Sequence, residues 1–190
     1  MDCVMVPAAP EDMAWIADLE AQKYGEAAVS VPLLMTWYST NPNGFSVIKL
    51  RDGSRVGHLD FLPLRSSTMA QFVDGNMTEE EILGDALYTP QERDAIRQIY
   101  LESIIVTLSG DARSQIVRCV IANFLLAVER LCPANNIDTM YGIAATEEGA
   151  AFVHRLGGRL VKRGQERKDG LDLYAIDFAS IRSIAAALQA

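Results

Sequence analysis

Glu102 is an acid inside an apolar, β-branched run, Ile99 to Val106, a setting that gives a carboxylate chemistry to do. Burial among such residues raises a carboxyl pKa toward neutrality, where it can take a proton from an ammonium group, directly or through water. The plainer reading is a Glu at the open end of the strand, paired with an arginine. Just downstream, Ser109 and Gly110 stand in a short loop, Thr107 to Asp111, and Arg113, Ser114 and Gln115 follow at the start of a helical pattern. Free backbone N–H groups, the positive end of a helix dipole and a guanidinium together make a dock for an anionic cofactor. Ser109, Asp111 or Ser114 capping the helix explains the same residues without a ligand. His58 and Asp60 alternate along another strand pattern, so they share a face and reach either a common substrate or each other.

Positioning these groups takes a strand, a turn and a helix in succession. The run Ile99–Val106 reads as a strand buried on both faces. Ile116, Val117, Val120, Ile121, Phe124, Leu125, Val128 and Leu131 recur three and four apart, which predicts a helix ended by Cys132-Pro133. Upstream, the sequence predicts a strand at Cys3–Val6 and a helix opened by Pro10-Glu11-Asp12 and stopped at Gly25. A second helix runs from about Val31 to Tyr38, and a hairpin of Phe45–Leu50 and Arg55–Leu64 follows. Short helices are expected at Thr68–Val73 and Thr78–Leu83, with the run Glu79-Glu80-Glu81 a solvated helix face. Downstream come a strand at Ile137–Ala144, a helix at Gly149–Leu156, strands at Arg159–Lys162 and Leu171–Ile176, and a helix at Asp177–Leu188. The result is an α/β chain with a mixed, partly antiparallel central sheet flanked by helices, one domain over residues 1–190.

The 190 residues are 49% hydrophobic and 22% charged, which excludes disorder. A net charge of −8 and a pI near 4.8 argue against nucleic acid or an anionic membrane as partner. Cys3, Cys119 and Cys132 have no metal-like spacing and read as reduced thiols of a cytoplasmic protein, with Cys119 packed in the long helix. No segment predicts a signal peptide or a membrane span. No cluster has metal spacing, no Ser-His-Asp or Cys-His context stands out, and no phosphate-loop glycine motif is present.

The order of elements resembles the GNAT acyltransferase superfamily over nearly the whole chain. The hairpin ending in Phe61-Leu62-Pro63-Leu64, the Leu101-Glu102-Ser103 strand and Leu156-Gly157-Gly158-Arg159-Leu160-Val161 after the penultimate helix carry it most specifically. The resemblance implies acetyl-CoA as acyl donor, an amine of a small molecule or peptide as acceptor, and Glu102 as the base. It implies that Ile104, Ile105 and Val106 lie in a splayed strand whose backbone holds the thioester, and that Leu108, Ser109, Gly110, Arg113, Ser114 and Gln115 cradle the pyrophosphate. Trp37, Tyr38 and Phe61 would wall the acceptor pocket, with a core role as their ordinary alternative. The chain also departs from the family pattern. The later glycines of the pyrophosphate motif are missing, Asp111 brings a like charge to the phosphates, and Val153 stands where the family places a tyrosine acid. Tyr100 or Tyr141 is the candidate replacement, Tyr141 being preferred. Two other readings stay open: a catalytically inactive GNAT-fold ligand-binding or regulatory interaction module, and transfer of a longer acyl group. A homodimer is a general expectation for such chains.

Overall fold

The computed structural model describes residues 3–189. Seven strands form one sheet in the order β1-β2-β3-β4-β5-β7-β6. They are β1 (Cys3–Pro7), β2 (Phe45–Leu50), β3 (Arg55–Leu62), β4 (Gln98–Val106), β5 (Thr139–Ala144), β6 (Arg159–Lys162) and β7 (Asp172–Asp177). All neighbours are antiparallel except β4 and β5, which run parallel. The crossover between those two is the long amphipathic helix α4 (Gly110–Leu131), as a parallel pair requires. The remaining helices are α1 (Met13–Tyr24), α2 (Val31–Thr40), α3 (Ser66–Val73), α5 (Glu147–Arg155) and α6 (Phe178–Gln189).

Each face of the sheet carries its own core. Helix α4 lays Ile116, Val120, Phe124, Val128 and Leu131 against Leu59, Phe61, Ile99 and Leu101, with α6 contributing Phe178 and Ile181. Phe61 and Phe124 meet edge to face at 4.9 Å, the favoured geometry for an aromatic pair. On the opposite face α1, α2 and α3 bury Met13, Ile16, Leu34, Trp37, Met69 and Phe72 over Val47, Leu62 and Tyr100.

Two irregularities in β4 interrupt the sheet near its middle. Asp60 pairs with Ser103 and Phe61 with Leu101, so Glu102 is the extra residue of a β-bulge. On its other side β4 pairs with β5 only from Gln98↔Thr139 to Leu101↔Gly142, although both strands continue. Beyond Leu101 the strands therefore diverge. Thr107 N–H donates to Val56 O at 2.9 Å; alternation along the strand then turns the N–H groups of Ile104 and Val106 away from β3, into the gap.

The β3–β4 contact that holds this edge is close at Gly57, where an added Cβ would fall 2.1 Å from the carbonyl oxygen of Ile105. Gly57→Ala is expected to cost about 1–3 kcal/mol, read as a lowered midpoint in thermal or urea unfolding.

Three expectations are corrected. Cys3 and Cys119 form a disulfide with Cα atoms 6.2 Å apart, and only Cys132 is a free, buried thiol. The two cysteines lie 116 residues apart, and α4 packing beside the edge strand β1 brings them together. The expected helix at Thr78–Leu83 is a single 3-10 turn, Glu79–Glu81, in which Glu81 accepts from Thr78 N–H at 2.9 Å. Nor is that turn solvated throughout, because the carboxyl of Glu79 folds inward and meets the Tyr100 hydroxyl. No helix among the described residues is long and apolar enough to cross a membrane.

Candidate functional site

The splay between β4 and β5 opens into a solvent-connected cavity. Its walls are largely apolar: Val29, Leu101, Ile104, Val106, Val117, Phe152 and Val153. Its floor is acidic. Glu20 comes from α1, Glu79 from the 3-10 turn before β4, and Glu102 from the bulge. A bulge re-aims one side chain relative to strict alternation, which is how an acid leaves the β4 core and enters the cavity.

Two of the floor acids lack hydrogen-bond partners that a buried carboxylate ordinarily has. Glu20 is fully buried, and neither of its oxygens has a hydrogen-bond partner among the described residues. Oε2 of Glu102 is likewise buried and unpartnered. Burial, reinforced by Asp60 and Glu79, pushes the Glu20 carboxyl from 4.5 up to about 9. Burial, reinforced by Glu20, Glu79 and Asp60, raises Glu102 well above the carboxylate range. Glu79 is raised to about 7 by burial, although it accepts a 2.5 Å hydrogen bond from the Tyr100 hydroxyl. The tertiary fold has tucked its turn against β4 and leaves this acid half-buried.

Behind the floor, His58 and Asp60 are fully buried and meet each other, with Nδ1 of His58 2.7 Å from Oδ2 of Asp60. Nε2 of His58 faces Oε1 of Glu20 at 4.0 Å. Beside them the Tyr24 hydroxyl lies 3.4 Å from Oγ of Ser103. Burial holds Tyr24 above its ordinary pKa, so it stays a neutral phenol.

The rim is different in charge. Glu148 at the start of α5 accepts from Lys23 at 2.5 Å and from both terminal nitrogens of Arg113 at 3.1 and 3.3 Å. Those two cations hold the Glu148 carboxyl below its usual range. Helix α4 begins next to this cluster. Ser109 precedes it in an extended conformation with no side-chain cap bond, and Gly110 enters at φ +57°, open space all around it. That geometry favours glycine and leaves the first N–H groups of α4 exposed.

Of the residues singled out in the sequence, Glu102, Ile104, Val106 and Arg113 line the cavity. Ile105 turns to the other face of β4 and is buried, and Leu108 packs on the α4-side core. Ser109, Gly110, Ser114 and Gln115 are exposed at the helix start, where Ser114 Oγ donates to Gly110 O at 3.4 Å. The aromatic residues stand elsewhere. Trp37 is fully buried and donates from Nε1 to Ile82 O at 2.7 Å, and Phe61 lies in the opposite core. Tyr38 donates to Ala8 O at 3.0 Å and packs edge-on against Phe45. Tyr141 sits on β5 beside Tyr100, outside the cavity lining. Glu20, Tyr24, Glu79 and Ser103 enter the site unforeseen. One signal for Glu20 was present: it falls on the apolar stripe of Met13, Ile16 and Ala17, four residues after Ile16.

A scan of protein-family models gives no match to the chain, and a search of curated proteins gives none either. Among solved structures, the chain is similar to the loading GNATL domain of CurA from Lyngbya majuscula. The TM-score is 0.66 at 15% identity, covering 94% of this chain and 99% of that one. It is similar as well to the GphF GNAT-like decarboxylase in complex with isobutyryl-CoA, with a TM-score of 0.62 at 19% identity over 92% and 99% of the two chains. A chain of the NatC complex bound to Gag peptide and CoA gives 0.58 at 12% identity over 93% and 99%. The class is therefore clear at the level of architecture. This chain has the GNAT acyltransferase fold.

Proposed function

We propose that the protein is an acyl-CoA-dependent N-acyltransferase, with acetyl-CoA as donor and an amine of a small molecule or peptide as acceptor. The observation that carries this is the splay. An unpaired stretch of β4 aims the N–H groups of Ile104 and Val106 into a largely apolar cavity whose other end meets the open N-terminus of α4. That combination fits a thioester and its phosphates. Bound there, acetyl-CoA supplies an acyl group activated as its thioester.

The chain's own groups have separable tasks. The N–H groups of Ile104 and Val106 donate to the acyl oxygen as negative charge develops on it, the kind of stabilisation that contributes most to acyl transfer. Glu102, at the bulge between those N–H groups and the acid floor, takes the proton of the attacking ammonium. Tyr24, a neutral phenol on the cavity wall, donates a hydrogen bond to the departing sulfur. It takes the place considered for Tyr141, which the fold keeps outside the cavity. Arg113 and the first turn of α4 face the phosphates, and Arg113 must leave Glu148 to bind them.

Calorimetric titration with acetyl-CoA, with CoA alone as control, tests this reading. Micromolar dissociation constants for both ligands are expected, about −8 kcal/mol of binding free energy. No heat of binding up to millimolar ligand would remove acyl transfer and leave the catalytically inactive ligand-binding or regulatory module as the better account.

A further inference from the structure

The acid floor holds more negative capacity than one reacting amine can use. Glu20, Glu79 and Glu102 converge on it, and Asp60 lies just behind. The cations that line the cavity, Lys23 and Arg113, are both engaged by Glu148 at the rim. Arg167, whose charge acts on Glu79, is committed to Asp169 and to Phe72 O.

Two acids that line the floor carry buried oxygens with no hydrogen-bond partner among the described residues, both oxygens of Glu20 and Oε2 of Glu102; Nε2 of His58, behind Glu20, has no hydrogen bond either. Asp60 occupies Nδ1 of His58, which leaves Nε2 turned toward Glu20 at 4.0 Å. A buried carboxyl on the cavity floor with no donor to either oxygen suits a group bearing several N–H donors, and an ammonium is such a group. A metal ion fits less well, although Glu20, His58 and Asp60 offer ligand atoms within 4.8 Å of one another. Asp60 lies on the Nδ1 side of the ring, which leaves two ligand residues at Nε2 where a zinc site uses three or more.

We propose that the floor seats a dicationic acceptor, a short diamine whose reacting nitrogen lies at Glu102 and whose second ammonium sits against the Glu20 carboxyl. The word acceptor rests on the acyl-transfer reading; the cation seat does not. The groups facing the second ammonium are Glu20 and Tyr24 from α1, His58 and Asp60 from β3, Glu102 from β4 and Glu79 from the 3-10 turn. Lys23 and Arg113 stand at the rim. Carboxyls held protonated by burial must release protons when the dication arrives, so affinity rises with pH through neutrality.

The test is calorimetric titration of the whole chain, without CoA, using 1,4-diaminobutane and 1-aminobutane at about pH 7.5, where the diamine carries two charges. Two buffers of different ionisation enthalpy count the protons released. The diamine is expected to bind about tenfold or more tightly than the monoamine, with net proton release. Glu20→Gln should reduce the diamine to the monoamine's affinity, while Asp18→Asn on the exposed side of the same helix leaves it unchanged. Equal affinity for the two amines would overturn the proposal, as would undiminished diamine binding by Glu20→Gln. So would Zn²⁺ binding that depends on Glu20 in a protein that takes no diamine. A parallel acetyl-CoA titration separates the two readings. Acetyl-CoA binding without a diamine preference sinks the dication seat alone, and the converse result sinks acyl transfer but supports the seat.

Discussion

Glu102→Gln is expected to lower kcat for amine acylation by about 10²- to 10⁴-fold, while the dissociation constant for CoA stays at the wild-type value. The bulge places this carboxyl in the cavity, and burial raises its pKa. A base must be deprotonated to act, so wild-type kcat/KM should climb with pH through neutrality. In Glu102→Gln that rise should flatten. Glutamine is nearly isosteric and keeps the bulge, hence the split between chemistry and binding. Steady-state kinetics from about pH 6 to about 9.5, paired with CoA titration, reads both parts. Wild-type activity in the variant would take Glu102 out of the mechanism. A parallel loss of CoA affinity would assign it a structural task in β4.

The second large effect is on stability, and its sign depends on pH. Burial raises the Glu20 carboxyl from 4.5 to about 9. Between those values the folded chain holds a proton that the unfolded chain has released, so the folded state binds more protons. Stability is therefore lost as pH rises from about 4.5 towards about 9. Glu79 adds to the same trend between 4.5 and about 7. Glu20→Gln removes the titration while keeping the shape. It should stabilise the protein on the order of 2–4 kcal/mol at about pH 8 and less than about 1 kcal/mol at about pH 5. Urea unfolding at the two pH values measures the difference. A variant less stable than wild type at the higher pH would mean that Glu20 is ionised and paired in the fold. A stabilising Glu20→Gln would mark Glu20 as an acid held in the fold at a cost to stability, the pattern expected of a functional acid.

Much of the architecture was legible because it depends on local pattern. The β-branched run at Ile99–Val106 and the three-and-four spacing of Ile116 through Leu131 predict a strand and helix that the structure places at Gln98–Val106 and Gly110–Leu131. The hairpin, the stop at Gly25 and the last strands follow the same logic, since each is written in residues close together in the chain. The fold class could be reached from that order alone. Fold comparison supports it where no family model or curated protein matches.

The site was legible only in part, and the missing parts share a physical cause. Glu102 stood out because an acid in an apolar run is a local anomaly. Glu79 did not, since an acid beside Glu80 and Glu81 reads as solvated until the turn folds against Tyr100. Trp37 and Phe61 are large and aromatic, but which side of the sheet each faces is decided by packing, and packing puts them in the two cores. Cys3 and Cys119 gave no pairing signal across 116 residues of chain. By itself the sequence determined most of the elements, their order and one anomalous acid, though not the 3-10 turn at Glu79–Glu81. Tertiary structure alone decided the splay of β4 from β5, the convergence of Glu20, Glu79 and Glu102, and the burial of the His58–Asp60 pair beside Glu20. Those depend on contacts between residues distant in sequence, whose desolvation and mutual charge exist only once the chain is folded.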